Sequence, residues 1–300
     1  MGQAPEVTMA EQLAAGVNGI DLCYETFGDP EHEPILLIMG LGAPMIWWAD
    51  EFCSMLADRG FHVIRYDNRD CGRSTAMHGQ VSLPLAYLRR RTAYPLEELA
   101  TDAAGLLERL GTGPAHVVGC SMGGMIAQLL AIGHPELVRS LTSIMASTGN
   151  RLVGRPSARG TSALLSAPPM EREPYVEHLV SVFRAIGSPG FPFEEDRMRL
   201  RAARTFDRGL NRAGTARQLA ACLAARDRTR ALRRVTVPTA VIHGASDPLI
   251  HLSGGTATSR AVPGARLHVI RGMGHDLPAP LWPRYADVIE QTARAAPSMQ

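Results

Sequence analysis

A serine lies between glycines directly after a short apolar run, at residues 119–124 (GCSMGG), and no other feature constrains the fold as strongly. The preceding residues (AHVV) are typical of a buried strand, and the small residues that follow favour a helix. A serine on such a sharp strand-to-helix turn has a strained backbone that exposes its hydroxyl at the end of the sheet. Gly119 and Gly123 would let strand and helix approach closely, while the Met122 amide would face a developing oxyanion. The motif therefore predicts an α/β fold in which Ser121 is a nucleophile.

Short apolar runs alternate with longer amphipathic segments along most of the chain, which is typical of a mainly parallel sheet with crossover helices. Strands are predicted at residues 20–27, 34–39, 61–66, 115–120, 137–145, 237–244 and 266–271, and helices at 46–59, 95–110, 122–133, 251–262 and 281–295. Residues 146–235 interrupt this alternation, because they hold Pro and Gly breaks and Arg-rich helical stretches but no convincing strand. We therefore predict a core formed by residues 1–145 and 236–300, with residues 146–235 inserted as a helical cap, or lid.

A serine hydroxyl is a weak nucleophile unless a base takes its proton, and His275 is the best placed of the ten histidines. It follows the last predicted strand on a glycine-rich turn (GMGHD), which can present a side chain at the carboxyl edge of the sheet. Asp247 follows the preceding strand and can fix the tautomer of the imidazole, whereas the competing Asp276 would have to reach back to its own neighbour. The chain order Ser121, Asp247, His275 is that of α/β-hydrolases and differs from the orders in chymotrypsin and subtilisin.

The loop after the strand at residues 34–39 is the expected source of a second oxyanion donor. It reads Gly40, Leu41, Gly42, and the Leu41 amide is the predicted donor beside that of Met122. The two glycines let the backbone approach a substrate closely, so we expect both to contact it.

Other side chains are expected near the same place. Of the adjacent Trp47 and Trp48, one is predicted to pack in the core and the other, Trp47, to line the site. Cys120 precedes the nucleophile and is expected to touch the pocket as a small buried thiol. Four phenylalanines are predicted to form the core of the cap, with some contributing an apolar roof: Phe183, Phe191, Phe193 and Phe206. Such a roofed pocket suits a bulky ring system better than a sugar.

Together these motifs resemble the α/β-hydrolase family of serine esterases, and specifically actinobacterial hydrolases of the aclacinomycin methylesterase type. The resemblance covers nearly the whole chain and is carried by LLIMG (36–40), WADEF (48–52), HVIRYDNRDCGRS (62–74), AHVVGCSMG (115–123), VTVPT (235–239) and GMGH (272–275). It implies an eight-stranded, mainly parallel sheet with flanking helices, and a catalytic triad of Ser121, Asp247 and His275. It also implies a methyl ester of an aromatic polyketide, or a similar bulky apolar ester, as substrate. The resemblance is weakest in residues 146–235.

Composition excludes several other classes of function. All 31 basic residues are arginine, so Schiff-base, pyridoxal phosphate and P-loop chemistry are ruled out, and no cofactor is expected. The five cysteines form no CxxC pair, which suits a reducing cytoplasm without a metal site. A net charge of +2 gives no case for nucleic acid, and the apolar runs are far shorter than the roughly 20 residues of a membrane span. The opening MGQAPEVTMAEQ has no apolar export signal, so we expect a cytoplasmic protein. We further expect a monomer or homodimer.

Alternatives to an esterase remain at this stage. A similar triad supports carbon–carbon bond hydrolysis or cofactor-free perhydrolysis on the same fold, and a ligand receptor can keep the fold without catalysis. Residues 151–235 hold 17 arginines against 8 acidic residues, which solvated helix faces explain; a positive rim that attracts an anionic substrate is the alternative.

Overall fold

The computed structural model describes residues 11–297, and this part of the chain forms one eight-stranded sheet. The strands are β1 Gln12–Val17, β2 Ile20–Phe27, β3 Glu33–Ile38, β4 Phe61–Tyr66, β5 Ala115–Cys120, β6 Val138–Ile144, β7 Thr239–Gly244 and β8 Arg266–Ile270. Their order across the sheet is β1-β2-β4-β3-β5-β6-β7-β8. Strand β2 is antiparallel to both of its neighbours, and every other pair is parallel. The predicted mainly parallel sheet of eight strands is confirmed. Most of the opening segment, which carried the expectation about export, lies outside the described residues.

The helices of the described residues cover both faces of this sheet. They are α1 Asp50–Ala57, α2 Leu83–Arg89, α3 Leu96–Leu110, α4 Met122–Gly133, α5 Ala158–Leu165, α6 Arg172–Ile186, α7 Glu195–Asp207, α8 Arg212–Ala224, α9 Thr229–Leu232, α10 Ser253–Ala261 and α11 Trp282–Arg294. Helices α3 and α4 pack with one large apolar cluster, and α1 and α11 pack with the other. Strands β4, β5, β6 and β7 are buried along their whole length; β5 and β7 are mostly apolar, whereas β6 (VRSLTSI) buries four polar side chains. No helix among residues 11–297 is long and apolar enough to span a membrane.

Two local predictions differ from the structure. Strand β1 was not predicted, because Gln12–Val17 contains two alanines and a glycine, which are poor strand formers. The signal for it lies in the turn: Asn18 and Gly19 have φ of 48° and 78°, as a two-residue hairpin requires. The helix predicted at residues 46–59 is instead a 3₁₀ turn, Met45–Trp47, followed by the separate helix α1.

Helices α5 to α9 all lie between β6 and β7 in the chain, and we call them the helical insert. Within it the structure has no strand, as the sequence pattern predicted. Some of its apolar residues pack on each other: the rings of Tyr175 and Phe206 are in contact, with 5.5 Å between their centroids. Others pack on the core of the sheet, as Phe183 does. The exact division into a core and a cap stays a prediction.

Candidate active site

Ser121 occupies the turn between β5 and α4, with φ 58° and ψ −120°. A residue other than glycine rarely adopts a positive φ. Such backbone strain concentrates at functional sites, where the surrounding structure enforces it. The enforcing contacts are visible at the flanking glycines. A Cβ on Gly119 would lie 2.1 Å from the Gly123 carbonyl oxygen, so β5 and α4 meet as closely as expected. A Cβ on Gly123, however, would meet the carbonyl oxygen of Ile38 at 2.0 Å, so this glycine serves contact with β3.

The three predicted triad residues meet at the carboxyl edge of the sheet. The Ser121 hydroxyl donates to His275 Nε2, with 2.9 Å between Oγ and Nε2. On the other side of the ring, Nδ1 lies 2.8 Å from Asp247 Oδ2 and donates to it, because an ionised carboxylate can only accept. Ser121 follows β5, Asp247 follows β7 and His275 follows β8, so three strand ends bring together residues far apart in sequence.

Asp247 is held as an ionised acceptor. Its Oδ1 accepts the backbone amides of Leu249 at 2.8 Å and Ile250 at 2.9 Å, which leaves Oδ2 for the imidazole. Burial opposes ionisation of this carboxyl, but the adjacent His275 and the Ile250 amide outweigh burial and lower the pKa of Asp247. The competing Asp276 is turned away from the ring and accepts a hydrogen bond from the Ser188 hydroxyl. Burial is the main reason that the pKa of Asp276 is raised.

The loop of residues 40–42 lies beside the nucleophile. A Cβ on Gly40 would be 3.2 Å from Ser121 Cβ, a tight contact that would make the loop or Ser121 shift slightly. Neither the Leu41 amide nor the Met122 amide donates a hydrogen bond to any group in the part of the chain that the structure describes. The Gly42 amide donates to Gln218 Oε1 at 2.8 Å, which fixes the end of the loop. Two free backbone donors beside a serine are the arrangement that stabilises an oxyanion.

A cavity of about 240 Å³ opens over Ser121 and His275. Gly40, Gly42, Trp47 and Cys120 all line it, and their contact with a substrate stays a prediction. The Trp47 ring packs against Phe183 at 4.8 Å between centroids with a tilt of 37°, and its Nε1 donates to Thr205 Oγ1 at 3.0 Å, so the indole is fixed. Trp48 is 1% exposed and belongs to the core. Burial raises the pKa of the Cys120 thiol well above its usual range, so it stays protonated at neutral pH.

Several residues that shape this site gave no sequence signal. Gln218 fixes the loop of residues 40–42, Thr205 fixes Trp47, and Ser188 contacts the loop that carries His275 through Asp276 and the Gly274 amide. All three come from the helical insert or its connections, and an isolated Gln, Thr or Ser on a helix or loop has no distinctive spacing. Among residues 11–297 no group of three His, Cys, Asp or Glu side chains is arranged to hold a metal ion.

The fold agrees with comparisons to known proteins. Residues 33–278 match the family described as α/β hydrolase fold, so the chain belongs to that family and is a hydrolase by class. Two curated relatives are named rhodomycin D methylesterases, DauP from Streptomyces sp. strain C5 and DnrP from Streptomyces peucetius. Each is 32% identical over 306 residues, covering 92% of this chain and 96% of the relative.

Solved structures show the same architecture. The enol-lactonase from Burkholderia xenovorans LB400 superposes with a TM-score of 0.73 at 21% identity, over 94% of this chain and all of that one. The esterase RhEst1 from Rhodococcus sp. ECU1013 superposes with a TM-score of 0.71 at 19% identity, over 96% of this chain. At these identities the likeness concerns the fold. The family resemblance that the motifs indicated is confirmed.

Proposed function

We propose that the chain is a serine carboxylic-ester hydrolase that works through an acyl-enzyme, with Ser121 as nucleophile, His275 as general base and Asp247 as its partner. The observation that carries the proposal is the continuous hydrogen-bonded relay from the Ser121 hydroxyl through His275 to Asp247. It opens into a cavity with two free backbone amides beside the serine. This arrangement supplies a base, a nucleophile and an oxyanion site at one place.

The proposed reaction has two halves. His275 Nε2 takes the proton of Ser121 Oγ while the oxygen attacks the ester carbonyl, and the Leu41 and Met122 amides donate to the resulting oxyanion. The tetrahedral intermediate collapses, the C–O bond to the alcohol breaks, and the imidazolium returns its proton to the leaving alkoxide. Water then attacks the acyl-enzyme with His275 again as the base, releasing the acid and restoring Ser121. Asp247 stabilises the imidazolium in both halves.

For the substrate we propose a methyl ester carried by a bulky aromatic ring system of the polyketide type. The curated relatives that match over 92% of the chain are named as methylesterases of rhodomycin D. The cavity wall supports a flat ring system, because Trp47 and Phe183 present a fixed aromatic surface beside the serine. We also propose that residues 146–235 act as the cap that forms the roof over the substrate.

Covalent labelling tests the nucleophile directly. A fluorophosphonate probe is expected to add one equivalent to the wild-type protein, read by intact-protein mass, because only an activated serine reacts. Ser121→Ala should take up no label. Ser166→Ala is the matched control, since Ser166 also lines the cavity but contacts the Ala163 carbonyl and His178 instead of His275. Labelling of Ser121→Ala, or none of the wild type, would refute the assignment.

An ester panel separates esterase activity from the other reactions that the fold supports. Turnover of p-nitrophenyl esters and of aromatic methyl esters, with little cleavage of diketones and little peracid formation, is the expected result. Preferred cleavage of a carbon–carbon bond would overturn the ester assignment, and binding with only trace turnover would favour a receptor. Cytoplasmic location and a monomeric or homodimeric state stay predictions, the latter checked by size-exclusion chromatography.

A further inference from the structure

Arg201 is the one arginine that lines the cavity over Ser121, counting the residues that the structure describes. It lies on α7, one helical turn before Thr205, which holds the Trp47 indole in place. The guanidinium carbon lies 5.2 Å from the centre of the Trp47 ring. A positive charge is therefore fixed against the aromatic wall of a cavity whose other walls are largely apolar.

The carboxylates nearest to Arg201 are already bound to other groups. Glu51 pairs with Arg197 at 3.1 Å, and Glu194 pairs with the same Arg197 at 3.5 Å. Asp276 also faces the cavity, but its oxygen accepts from Ser188. Within residues 11–297 the Arg201 side chain itself has no salt bridge and no hydrogen-bond acceptor, and its one recorded contact is with the Trp47 ring.

Two buried arginines, Arg69 and Arg217, are each paired with a protein carboxylate. Arg69 makes two hydrogen bonds of 2.6 Å to Asp102, and Arg217 binds Asp70 at 2.6 and 2.8 Å. Arg201 has no such carboxylate partner among the described residues. Burial lowers its pKa to about 10, so the guanidinium still carries its charge at neutral pH.

The Arg201 side chain is partly buried, and a charged group that lines a largely apolar cavity without a protein acceptor favours a ligand that supplies one. The planar guanidinium has five N–H donors arranged to bind two oxygens of one carboxylate, or a single phenolate oxygen. Its place over the Trp47 ring brings the guanidinium to the aromatic part of the cavity lining, where the ring system of the substrate is proposed to bind.

We propose that Arg201 binds an anionic oxygen group of the substrate, so that the preferred esters carry an ionised carboxylate or phenol in addition to the scissile ester. This inference rests on the proposed esterase function and narrows its substrate class. The competing explanation is that ordered water links Arg201 to Asp276, in which case the arginine neutralises a buried carboxylate and does not recognise substrate.

Three aromatic methyl esters of similar size distinguish these explanations. One carries a second, free carboxylate, one carries a nitrophenol that is ionised at neutral pH, and one carries a neutral ring. The measured quantity is the ratio of kcat/KM for each anionic ester to that for the neutral ester. We expect Arg201→Gln to lower this ratio about 10–100-fold, as loss of a charge-assisted hydrogen bond does. Arg201→Lys keeps the charge and should retain most of the ratio.

Arg204→Gln is the matched control, because Arg204 lies on the same helix, is exposed and faces Asp50 at 3.9 Å. The ratio should not change in this variant. An equal loss of activity on all three esters in Arg201→Gln would overturn the proposal and support the neutralising role. A drop for only one of the two anions would identify which oxygen group is recognised.

A binding measurement keeps the failure of this proposal separate from the failure of the esterase assignment. Calorimetric titration of Ser121→Ala with the carboxylate-bearing ester needs no turnover. We expect binding at least about tenfold weaker when Arg201→Gln is added to Ser121→Ala. Equal affinity of the two proteins would overturn the role of Arg201, whether or not the wild type hydrolyses esters.

Discussion

Two carboxylates compete for His275, and their own hydrogen bonds decide between them. Asp276 is the next residue in the chain, but it accepts from Ser188 and lies on the cavity side. Asp247 is 28 residues away in sequence and binds Nδ1 at 2.8 Å, with the Ile250 amide fixing its other oxygen. At the scale of the residue, therefore, position at a strand end outweighs proximity along the chain.

Substituting each carboxylate by its amide tests this assignment. Asp247→Asn should lower kcat by about 10³–10⁴-fold, because an amide at this place favours the wrong imidazole tautomer. Asp276→Asn should lower kcat less than about tenfold, since the amide oxygen can still accept from Ser188 and Asp247 is the hydrogen-bond partner of the ring. Steady-state kinetics on a p-nitrophenyl ester, with circular dichroism to verify the fold, provide the measurement. The reverse order of effects would exchange the two roles.

Ser121, Asp247 and His275 could be predicted because each follows a recognisable strand, and parallel strands end at the same edge of the sheet. The glycines around Ser121 also indicated a sharp strand-to-helix turn, because residues without a side chain let strand and helix approach closely. Arg201 and Thr205 could not be predicted, because their roles depend on how α7 is oriented against Trp47. Helix orientation depends on packing between distant segments, and local spacing does not encode it.

Among the elements, α8 is the helix of the insert that contacts the loop of residues 40–42. Gln218 on this helix is fully buried; it accepts the Gly42 amide and donates to the Arg69 carbonyl at 2.7 Å. A second contact of this kind comes from the end of α6, where the Ile186 carbonyl accepts the His275 amide at 2.8 Å. The insert thus supports both halves of the proposed catalytic apparatus.

Gln218→Ala tests the link from α8 to the loop. Without its acceptor the Gly42 amide is unpaired and the loop is free to shift, so kcat should fall about 10–100-fold while KM changes little. Gln128→Ala is the matched control. Gln128 lies on α4 and is equally buried, but it donates to Ser143 of β6 at 3.1 Å and does not line the cavity. This control should lower stability and leave kcat of the folded protein within twofold. Equal effects of the two variants on kcat would show that Gln218 is only structural.

The order of strands and helices was largely predictable, since apolar runs and amphipathic segments differ in period. β1 and the helix at 46–59 were exceptions, and α2 was also not predicted. In the first case the hairpin turn carried the information and the strand residues did not; in the second, one amphipathic pattern covered a 3₁₀ turn and a separate helix.

At the scale of the whole molecule, the arginine excess of residues 151–235 is partly matched by carboxylates of the rest of the chain. Arg217 binds Asp70, and Arg208 binds Asp67, both just after β4. Burial opposes ionisation of Asp70, but hydrogen bonds from Arg217 and Tyr94 outweigh burial and hold the pKa of Asp70 below its usual range. These pairs attach the helical insert to the sheet.

Acid should weaken this attachment. Because the pKa of Asp70 is lower in the folded than in the unfolded chain, its stabilising contribution is complete above about pH 4 and is lost as the pH falls through the folded pKa. Asp70→Asn should lower the free energy of unfolding by about 3 kcal/mol at pH 7, because Arg217 is left uncompensated, and by less at pH 3. Urea unfolding at both pH values provides the measurement.

Asp58→Asn is the control for this experiment, since Asp58 is exposed and none of the described side chains pairs with it. Its effect should be small and nearly the same at the two pH values. A deficit of Asp70→Asn that is as large at pH 3 as at pH 7 would mean that the ion pair does not contribute the pH dependence.

The contacts that α6 and α8 make with the active-site loops have a consequence for protein engineering and for divergence among relatives. Exchanging the segment between β6 and β7 is an obvious way to transplant substrate preference from one hydrolase to another. In this chain such a graft would also replace Gln218, which accepts the Gly42 amide. It would rebuild the backbone at Ile186, whose carbonyl accepts the His275 amide. A chimaera that keeps the Gln218 side chain and the backbone position of Ile186 is expected to inherit a new specificity, whereas one that changes either is expected to be slower towards every ester.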